Sequence, residues 1–472
     1  MKNFVRESCS LGLGILALLS AGKNCDAQNQ RHPNIVIINI DDLGWKDLGF
    51  MGSKYYETPT IDNLVKQGML FTNAYAAAAN CAPSRACLFS GMNTPRHGIY
   101  TVGNSDRGKS KDRKLIPIPN TEILPDSVVT IADILHANGY VTCHAGKWHI
   151  GNDPLTQGFD KNIAGGHYGN PSSYFSPYHN TALPDGPVGE ELNERITSDV
   201  ITYLEGIKNK PFFLNYATYE VHTPLQAKED AIEYFKSKTP GPGQKNATYA
   251  AMISRTDRNI ARLIDALKKQ DKYNNTLFIF TSDNGGVYTI SKQWPLRAGK
   301  GSYYEGGIRV PMFIVWQGKV KPGTLCDTPV TNLDLFPTLI NVAGISKPKG
   351  KILDGESILP LLTKTGTLAT RPLFWHFPIY LQGGNEESRD PIFRTRPGSL
   401  IRYGNWKLHE YFEDGGIELY NLENDISEKN NLVDKNPEMA TKLLNMLKKW
   451  QKEVKAPIPT ELNPKYNPET KE

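Results

Sequence analysis

Short apolar runs that do not alternate with polar residues recur along the chain. They are NIVIINI at Asn34–Ile40, YVTC at residues 140–143, FFLNY at 212–216, TLFIFT at 276–281 and MFIVW at Met312–Trp316. A strand tolerates such a run when both of its faces are covered, so these five are expected as buried parallel strands. Helical spacing fills the intervals. Thr58 and Pro59 offer an N-cap and a first-turn proline, Ile61, Leu64 and Val65 share one face, and Gly68 ends the segment. Ile131, Ile134 and Leu135 mark a second helix that stops at Gly139. Met252, Ile253, Ile260, Leu263, Ile264 and Leu267 mark a longer third. Strands alternating with helices predict an α/β fold: a large, mostly parallel, doubly wound sheet flanked by helices.

The pattern changes in the last hundred or so residues. LFWHF at 373–377, SLIRY at 399–403, WKLHEY at Trp406–Tyr411 and ELY at 418–420 are short strands separated by turns such as Gly404-Asn405 and Gly415-Gly416. Met439, Leu443, Leu447 and Trp450 then fall on one face of a terminal helix. A small C-terminal antiparallel sheet plus helix is expected, with the Pro- and Lys-rich tail after Pro457 as a surface wrap or a frayed end.

The first residues have the order of a signal peptide. Lys2 and Arg6 are followed by an apolar stretch at 11–21 and by small residues around Cys25-x-Ala27. Gly22-Lys23-Asn24 does not suit a lipoprotein signal before Cys25. The expected organisation is a signal peptide at 1–27, a catalytic α/β domain at 33–365 and a C-terminal α+β subdomain at 366–472. The protein is then secreted, and periplasmic in a Gram-negative host. No later segment is long and apolar enough to span a bilayer.

Composition narrows the function. Of 472 residues, 39% are hydrophobic and 22% charged, enough for a sizeable core. A net charge of +5 is too mild for a nucleic-acid binder and does not repel an anionic substrate. Of six cysteines, Cys9 and Cys25 leave with the signal. Cys81, Cys87, Cys143 and Cys326 are too sparse for a disulfide scaffold, though a bridge from Cys143 to Cys87 or to Cys326 stays open. No CxxC pair points to zinc.

Polar residues cluster where the strands end, which is where open α/β sheets bind ligands. Asp41 and Asp42 follow the first run. His144, Lys147 and His149 follow the second, Glu220 and His222 the third, and Asp283 and Asn284 the fourth. Grouped carboxylates repel unless a cation lies between them. Asp41, Asp42, Asp283 and Asn284 offer only oxygen, which suits a hard ion such as Ca²⁺ or Mg²⁺.

Cys81-Ala82-Pro83-Ser84-Arg85 resembles the C-x-P-S-R signature of type I sulfatases, formylglycine-dependent members of the alkaline-phosphatase-like superfamily. Leu88-Phe89-Ser90-Gly91 resembles the downstream element, with Phe89 bulkier than the usual residue. The Asp-Asp pair, GKWH, the His222-x-Pro224 element, SDNGG, Gly299-Lys300-Gly301 and the ELYNLENDISEKNNL segment match the same family in the same order, over about residues 33 to 435.

The resemblance implies a sulfatase in which a formylglycine-generating maturation enzyme oxidises Cys81, and whose aldehyde hydrate attacks sulfur. It implies one Ca²⁺ held by Asp41, Asp42, Asp283, Asn284 and the modified Cys81. Arg85 would brace the diol, Lys147 and Lys300 would bind sulfate oxygens, His149 would act as base and His222 as acid. Arg96, His97 and His167 are further candidates for the substrate pocket. The segment GGHYGNPSSYF resembles bacterial glycan sulfatases, so the expected substrate is a sulfated carbohydrate of galactose or N-acetylgalactosamine type. Two other readings stay open: a phosphonate or phosphate ester hydrolase on the same scaffold, and a non-catalytic glycan-binding homologue with an unconverted Cys81.

Overall fold

The computed structural model describes residues 32–468, so the expected signal peptide, with Cys9 and Cys25, lies outside the described residues. The first ten strands are β1 (Asn34–Ile40), β2 (Met69–Phe71), β3 (Ala74–Tyr75), β4 (Val141–Gly146), β5 (Lys161–Ile163), β6 (Phe212–Ala217), β7 (Thr276–Ser282), β8 (Met312–Trp316), β9 (Thr324–Cys326) and β10 (Val330–Thr331). The remaining six are β11 (Pro372–Phe377), β12 (Leu381–Gln382), β13 (Phe393–Thr395), β14 (Gly398–Tyr403), β15 (Trp406–Tyr411) and β16 (Ile417–Asn421). Eight of them form the main sheet in the order β5-β4-β6-β1-β7-β8-β2-β9.

The alternation of β1 explains its unbroken hydrophobicity. Val36, Ile38 and Ile40 join one core with the helices Leu192–Gly206 and Ala247–Lys269. Ile35 and Ile37 join the opposite core with the helices Cys81–Ser90, Ile131–Ala137 and Leu335–Val342. Each face is covered, so neither set can be polar. Helix starts follow local chemistry: Thr130 and Asp133 form a capping box that fixes the start of Ile131–Ala137.

The pairs β1/β6, β1/β7 and β4/β6 are parallel, as expected. Met312–Trp316 is not: β8 runs antiparallel to β7. Residues 283–311 hold one short helix, Glu305–Ile308, and that loop stays at the rim where β7 ends. Without a crossover of a dozen or more helical residues the chain returns antiparallel. An apolar run does not encode direction. The three-residue strands β2, β5 and β9 were too short for a sequence pattern to mark them.

The C-terminal strands β11-β14-β15-β16 form the expected antiparallel sheet. Ile401, Leu408 and Leu419 pack against Leu443, Leu447 and Trp450 of the helix Pro437–Glu453. On the other side, the Trp375 indole donates to the Ala76 carbonyl at 2.7 Å. Buried Lys407 bridges Glu305 at 3.0 Å and Glu428 at 2.9 Å. The tail is a surface wrap: Leu462 bridges Leu115, and the Asn463 amide donates to the carbonyls of Ser110 and Arg113. Cys81, Cys87, Cys143 and Cys326 are all free, so neither open bridge forms. Among the described residues, no helix is long and apolar enough to cross a membrane.

Candidate active site

Two neighbouring strands supply the floor of the site. β1 ends in Asp41 and Asp42, and β7, paired with it residue for residue, ends one position before Asp283. The Asp42 N–H donates to Asp283 Oδ1 at 3.2 Å, and the Asn284 amide donates to Asp42 Oδ1 at 2.8 Å. Asp42 takes φ of +60°, a left-handed conformation that Asp accepts more readily than most side chains. Cys81 opens the helix Cys81–Ser90. Its sulfur and one carboxylate oxygen each from Asp41, Asp42 and Asp283 all lie within 4.8 Å of one another.

Cations close the group. Lys147, wholly buried, meets Asp41 Oδ2 at 2.7 Å. Arg85 meets Asp283 Oδ2 at 2.8 Å, stands 3.8 Å from Asp41 Oδ1 and donates to the Lys147 carbonyl at 2.6 Å. Lys300 lies 2.6 Å from Asp42 Oδ1 and 3.1 Å from the Cys81 sulfur. His222 turns Nε2 toward Asp42 Oδ2 at 3.6 Å, while its Nδ1 faces the Thr223 carbonyl at 2.7 Å. The carbonyl can only accept, so the proton of neutral His222 sits on Nδ1 and Nε2 is open. His149 is buried, and a Cβ on Gly169 would come within 2.5 Å of its ring.

Charge is uneven here. Burial pushes the Asp41 carboxyl up to about 7, with Asp283 and Asp42 adding repulsion and Lys147 opposing them. Burial raises Asp42 as well, but Lys300, His222 and Lys147 hold it below the usual carboxylate range. Burial pushes the Cys81 thiol up to about 12 against the pull of Lys147 and Lys300. Burial brings His222 down to about 4 although Asp42 pulls the other way. Burial, and then Lys147, hold His149 well below its ordinary value. Both imidazoles are therefore neutral near pH 7.

Two buried oxygens, Asp41 Oδ1 and Asn284 Oδ1, accept no hydrogen bond. An orphaned buried acceptor costs about 1–3 kcal/mol. A hard cation among these oxygens would remove that cost, and the donor set fits one. The arrangement as a whole can hold an anionic ester against cations beside the position of Cys81.

Several sequence candidates lie elsewhere. Arg96 is bound to Asp354 at 2.8 Å, and His97 is a core side chain whose Nδ1 accepts from the Ile99 N–H at 3.1 Å. Neither lines the cleft over Cys81. Proximity in sequence to the helix that begins at Cys81 misplaced them, because the turn Thr94–His97 faces the segment around Asp354. His167 lies beside His149, ring centres 6.5 Å apart, and does not line the cleft. Glu220 turns inward to Arg255 and Thr256, and His144 to the Gly146 carbonyl and Asn215.

The cleft, of about 320 Å³, has walls that sequence reasoning missed. Arg107, Asn170, Gln382 and Arg394 join Cys81, His149, His222 and Lys300 there. They sit in loops and on the short ribbon β12/β13, with no motif to mark them, and only the fold brings them together.

The chain matches the family model Sulfatase over residues 33–345 and the model N-sulphoglucosamine sulphohydrolase, C-terminal, over residues 299–456. It is 31% identical to a sulfatase of Formosa agariphila over 94% of this chain and 93% of that one. It is 30% identical to N-acetylgalactosamine-6-sulfatase of Mus musculus over 78% of this chain and 73% of that one. Its structure is similar to the crystal structure of Ps i-CgsB in complex with k-i-k-neocarrahexaose, with a TM-score of 0.75 and 31% identity over 92% of this chain and 95% of that one.

Proposed function

The chain belongs to the sulfatase family, and we propose that it hydrolyses sulfate monoesters of carbohydrates, using a formylglycine made from Cys81 and one bound Ca²⁺. The observation that carries this reading is the convergence of Cys81 with Asp41, Asp42 and Asp283 within 4.8 Å, beneath Lys300. The orphaned oxygens of Asp41 and Asn284 support a cation there. The carbohydrate assignment is supported by the relatives that act on N-acetylgalactosamine sulfate and bind neocarrahexaose; galactose or N-acetylgalactosamine sulfates are the proposed substrates.

Asp41, Asp42, Asp283, Asn284 and residue 81 would hold the ion. When bound, the ion supplies Lewis-acid polarisation of an ester oxygen, and a formylglycine at residue 81 supplies a diol nucleophile in place of a thiol. Lys147 and Lys300 offset the charge of the sulfate as point cations. Arg85, held by Asp283 and the Lys147 carbonyl, ties the helix that begins at Cys81 to the strand ends and offsets the carboxylates. His149, kept neutral, takes a proton from the hydroxyl at residue 81. His222 takes up a proton at its open Nε2 once the anionic ester is bound, and donates it there to the leaving oxygen, assisted by Lys300. A bound anionic ester, and the charge growing on that oxygen, raise the proton affinity of the imidazole above its resting value. Secretion and a maturation enzyme acting on Cys81 belong to the same proposal.

The test measures sulfate release from defined sulfated mono- and oligosaccharides, alongside the mass of the tryptic peptide containing residue 81. Release that tracks the converted fraction supports the proposal. Converted protein that releases no sulfate, or that cleaves aryl phosphate faster than aryl sulfate, overturns it.

A further inference from the structure

Two guanidinium groups face the cleft without a carboxylate of their own. Arg107 comes from the loop that follows the turn Thr94–His97, and Arg394 from β13. Both line the cleft shared by Cys81, His222 and Lys300. Among the described residues, all their hydrogen bonds go to neutral acceptors. Arg107 donates through Nε to Gln382 Oε1 at 3.2 Å and through a terminal nitrogen to the Val102 carbonyl at 2.7 Å. Arg394 donates to the carbonyls of Gly383 and Lys300, each at 3.2 Å. By contrast Arg396, two residues on, is matched with both Asp390 and Glu413, and Arg389 with Asp414. Among the described residues, neither Arg107 nor Arg394 lies within ion-pair distance of a carboxylate.

This placement is costly without a ligand. Burial, with Arg107 adding repulsion and Asp42 opposing, holds the Arg394 guanidinium below its ordinary value. Guanidinium does not lose its proton in proteins, so an anion between the two groups would offset their repulsion. The reacting sulfate is already served by Lys147, Lys300 and the cation that the acidic floor would hold. Each guanidinium has five N–H donors and spends only part of that set on the protein, leaving a fork free to take an oxyanion from two sides.

We propose that Arg107 and Arg394, steadied by Gln382, form a second anion subsite, which binds another negatively charged group of the same glycan beside the scissile sulfate. That group is a second sulfate ester or a uronate carboxylate. The subsite rests on the sulfatase reading of the centre and makes the enzyme selective for multiply anionic saccharides. The loop around Arg107 and the C-terminal ribbon would then set substrate choice, while the strand ends carry out the reaction.

The experiment uses a matched series of disaccharides. The first has one sulfate on the reacting sugar, the second adds a sulfate on the neighbouring ring, and the third replaces that ring with a uronic acid. A charge-assisted hydrogen-bond pair is worth about 1.5–3 kcal/mol, or roughly a tenfold to hundredfold preference. The wild-type enzyme is expected to prefer at least one doubly charged substrate by about tenfold or more in kcat/KM, mainly through KM. Which member gains more identifies sulfate or carboxylate. Arg107→Gln and Arg394→Gln should each collapse the ratio of doubly to singly charged turnover. Arg107→Lys should restore part of it, and salt should weaken it in the wild type. Arg394 also holds the Lys300 carbonyl, so the Arg107 variants decide where the two disagree.

Calorimetric binding of the same series to protein with unconverted Cys81 judges the subsite without turnover. Arg107→Gln should weaken the doubly charged ligand by about tenfold more than the singly charged one. Equal affinity of the wild type for all three, or an equal loss on all three in the variant, overturns the subsite. A binding preference without sulfate release from converted enzyme would leave the subsite standing and remove the sulfatase reading instead.

Discussion

The ammonium of Lys300 lies 3.1 Å from the sulfur of Cys81, and the same group is 2.6 Å from Asp42 Oδ1. One cation thus touches both the Cys81 sulfur and the acidic floor. Its loop is fixed by the main chain, since the Lys300 N–H donates to the Gly286 carbonyl at 2.8 Å. Removing the ammonium should therefore leave the backbone in place. Loss of one preorganised charge at a developing anion costs about 2.7–4 kcal/mol. Lys300→Met is expected to lower kcat for sulfate release by about a hundredfold to a thousandfold, with a smaller change in KM. Steady-state kinetics at matched conversion of residue 81 check this. An unchanged kcat would take Lys300 out of the reaction.

Metal removal should be visible without any substrate. A ligand that binds only the folded state at a hundred times its dissociation constant stabilises by about 2.7 kcal/mol. Chelator-treated protein is expected to melt a few degrees lower than protein returned to Ca²⁺, and Asp41→Ala and Asn284→Ala should abolish the difference. Differential scanning calorimetry over a calcium titration reads it. Identical melting with and without the ion would argue that Asp41 Oδ1 and Asn284 Oδ1 are merely strained acceptors.

The sequence made the floor of the site legible for a physical reason. Asp41 and Asp283 immediately follow strands that pair along their whole length, so position in sequence became position in space. The same logic located Lys147 and His149 after β4. Lys300 was legible only through its family motif, because it lies in the long loop between β7 and β8. Direction was not legible for β8, since apolar content is the same either way along a strand. Arg107 and Arg394 gave no signal at all, being separated by nearly the whole main domain and joined only when the C-terminal ribbon closes over the rim. His97 shows the opposite failure: a histidine near Cys81 in sequence that packs against Cys87 and the Ile99 N–H in the core.

The role of His222 can be separated from a structural one by changing the leaving group. Its Nε2 is the atom open to the cleft, because Nδ1 is committed to the Thr223 carbonyl. General acid catalysis contributes about a hundredfold to ten-thousandfold where the leaving oxygen needs the proton. His222→Ala should therefore lose about that factor on a sugar sulfate, and far less on a nitrophenyl sulfate, whose phenolate departs unaided. Comparing the two losses in one preparation is sufficient. Equal losses on both substrates would assign His222 to architecture.

Two buried histidines away from the cleft should contribute to acid sensitivity. His97 accepts the Ile99 N–H on Nδ1, and His144 faces the Asn215 amide from Nδ1 at 2.9 Å while its Nε2 meets the Gly146 carbonyl at 3.0 Å. A proton added to Nδ1 of either ring would meet a donor, and both rings are buried. Burial brings each down to about 3 in the folded protein. The unfolded chain binds the same protons near 6.5. Between those values the unfolded state holds more protons, so the stability these groups permit is whole above pH 6.5 and is lost as pH falls toward 3. The slope approaches about 1.4 kcal/mol per pH unit for each histidine. The urea midpoint is expected to fall between pH 6.5 and 4.5. His97→Gln should lower stability at pH 7 but reduce the slope by one histidine, and His144→Gln provides a second reading if the first folds poorly. A midpoint that stays flat over that interval in the wild type would mean these rings are solvated enough to charge in place.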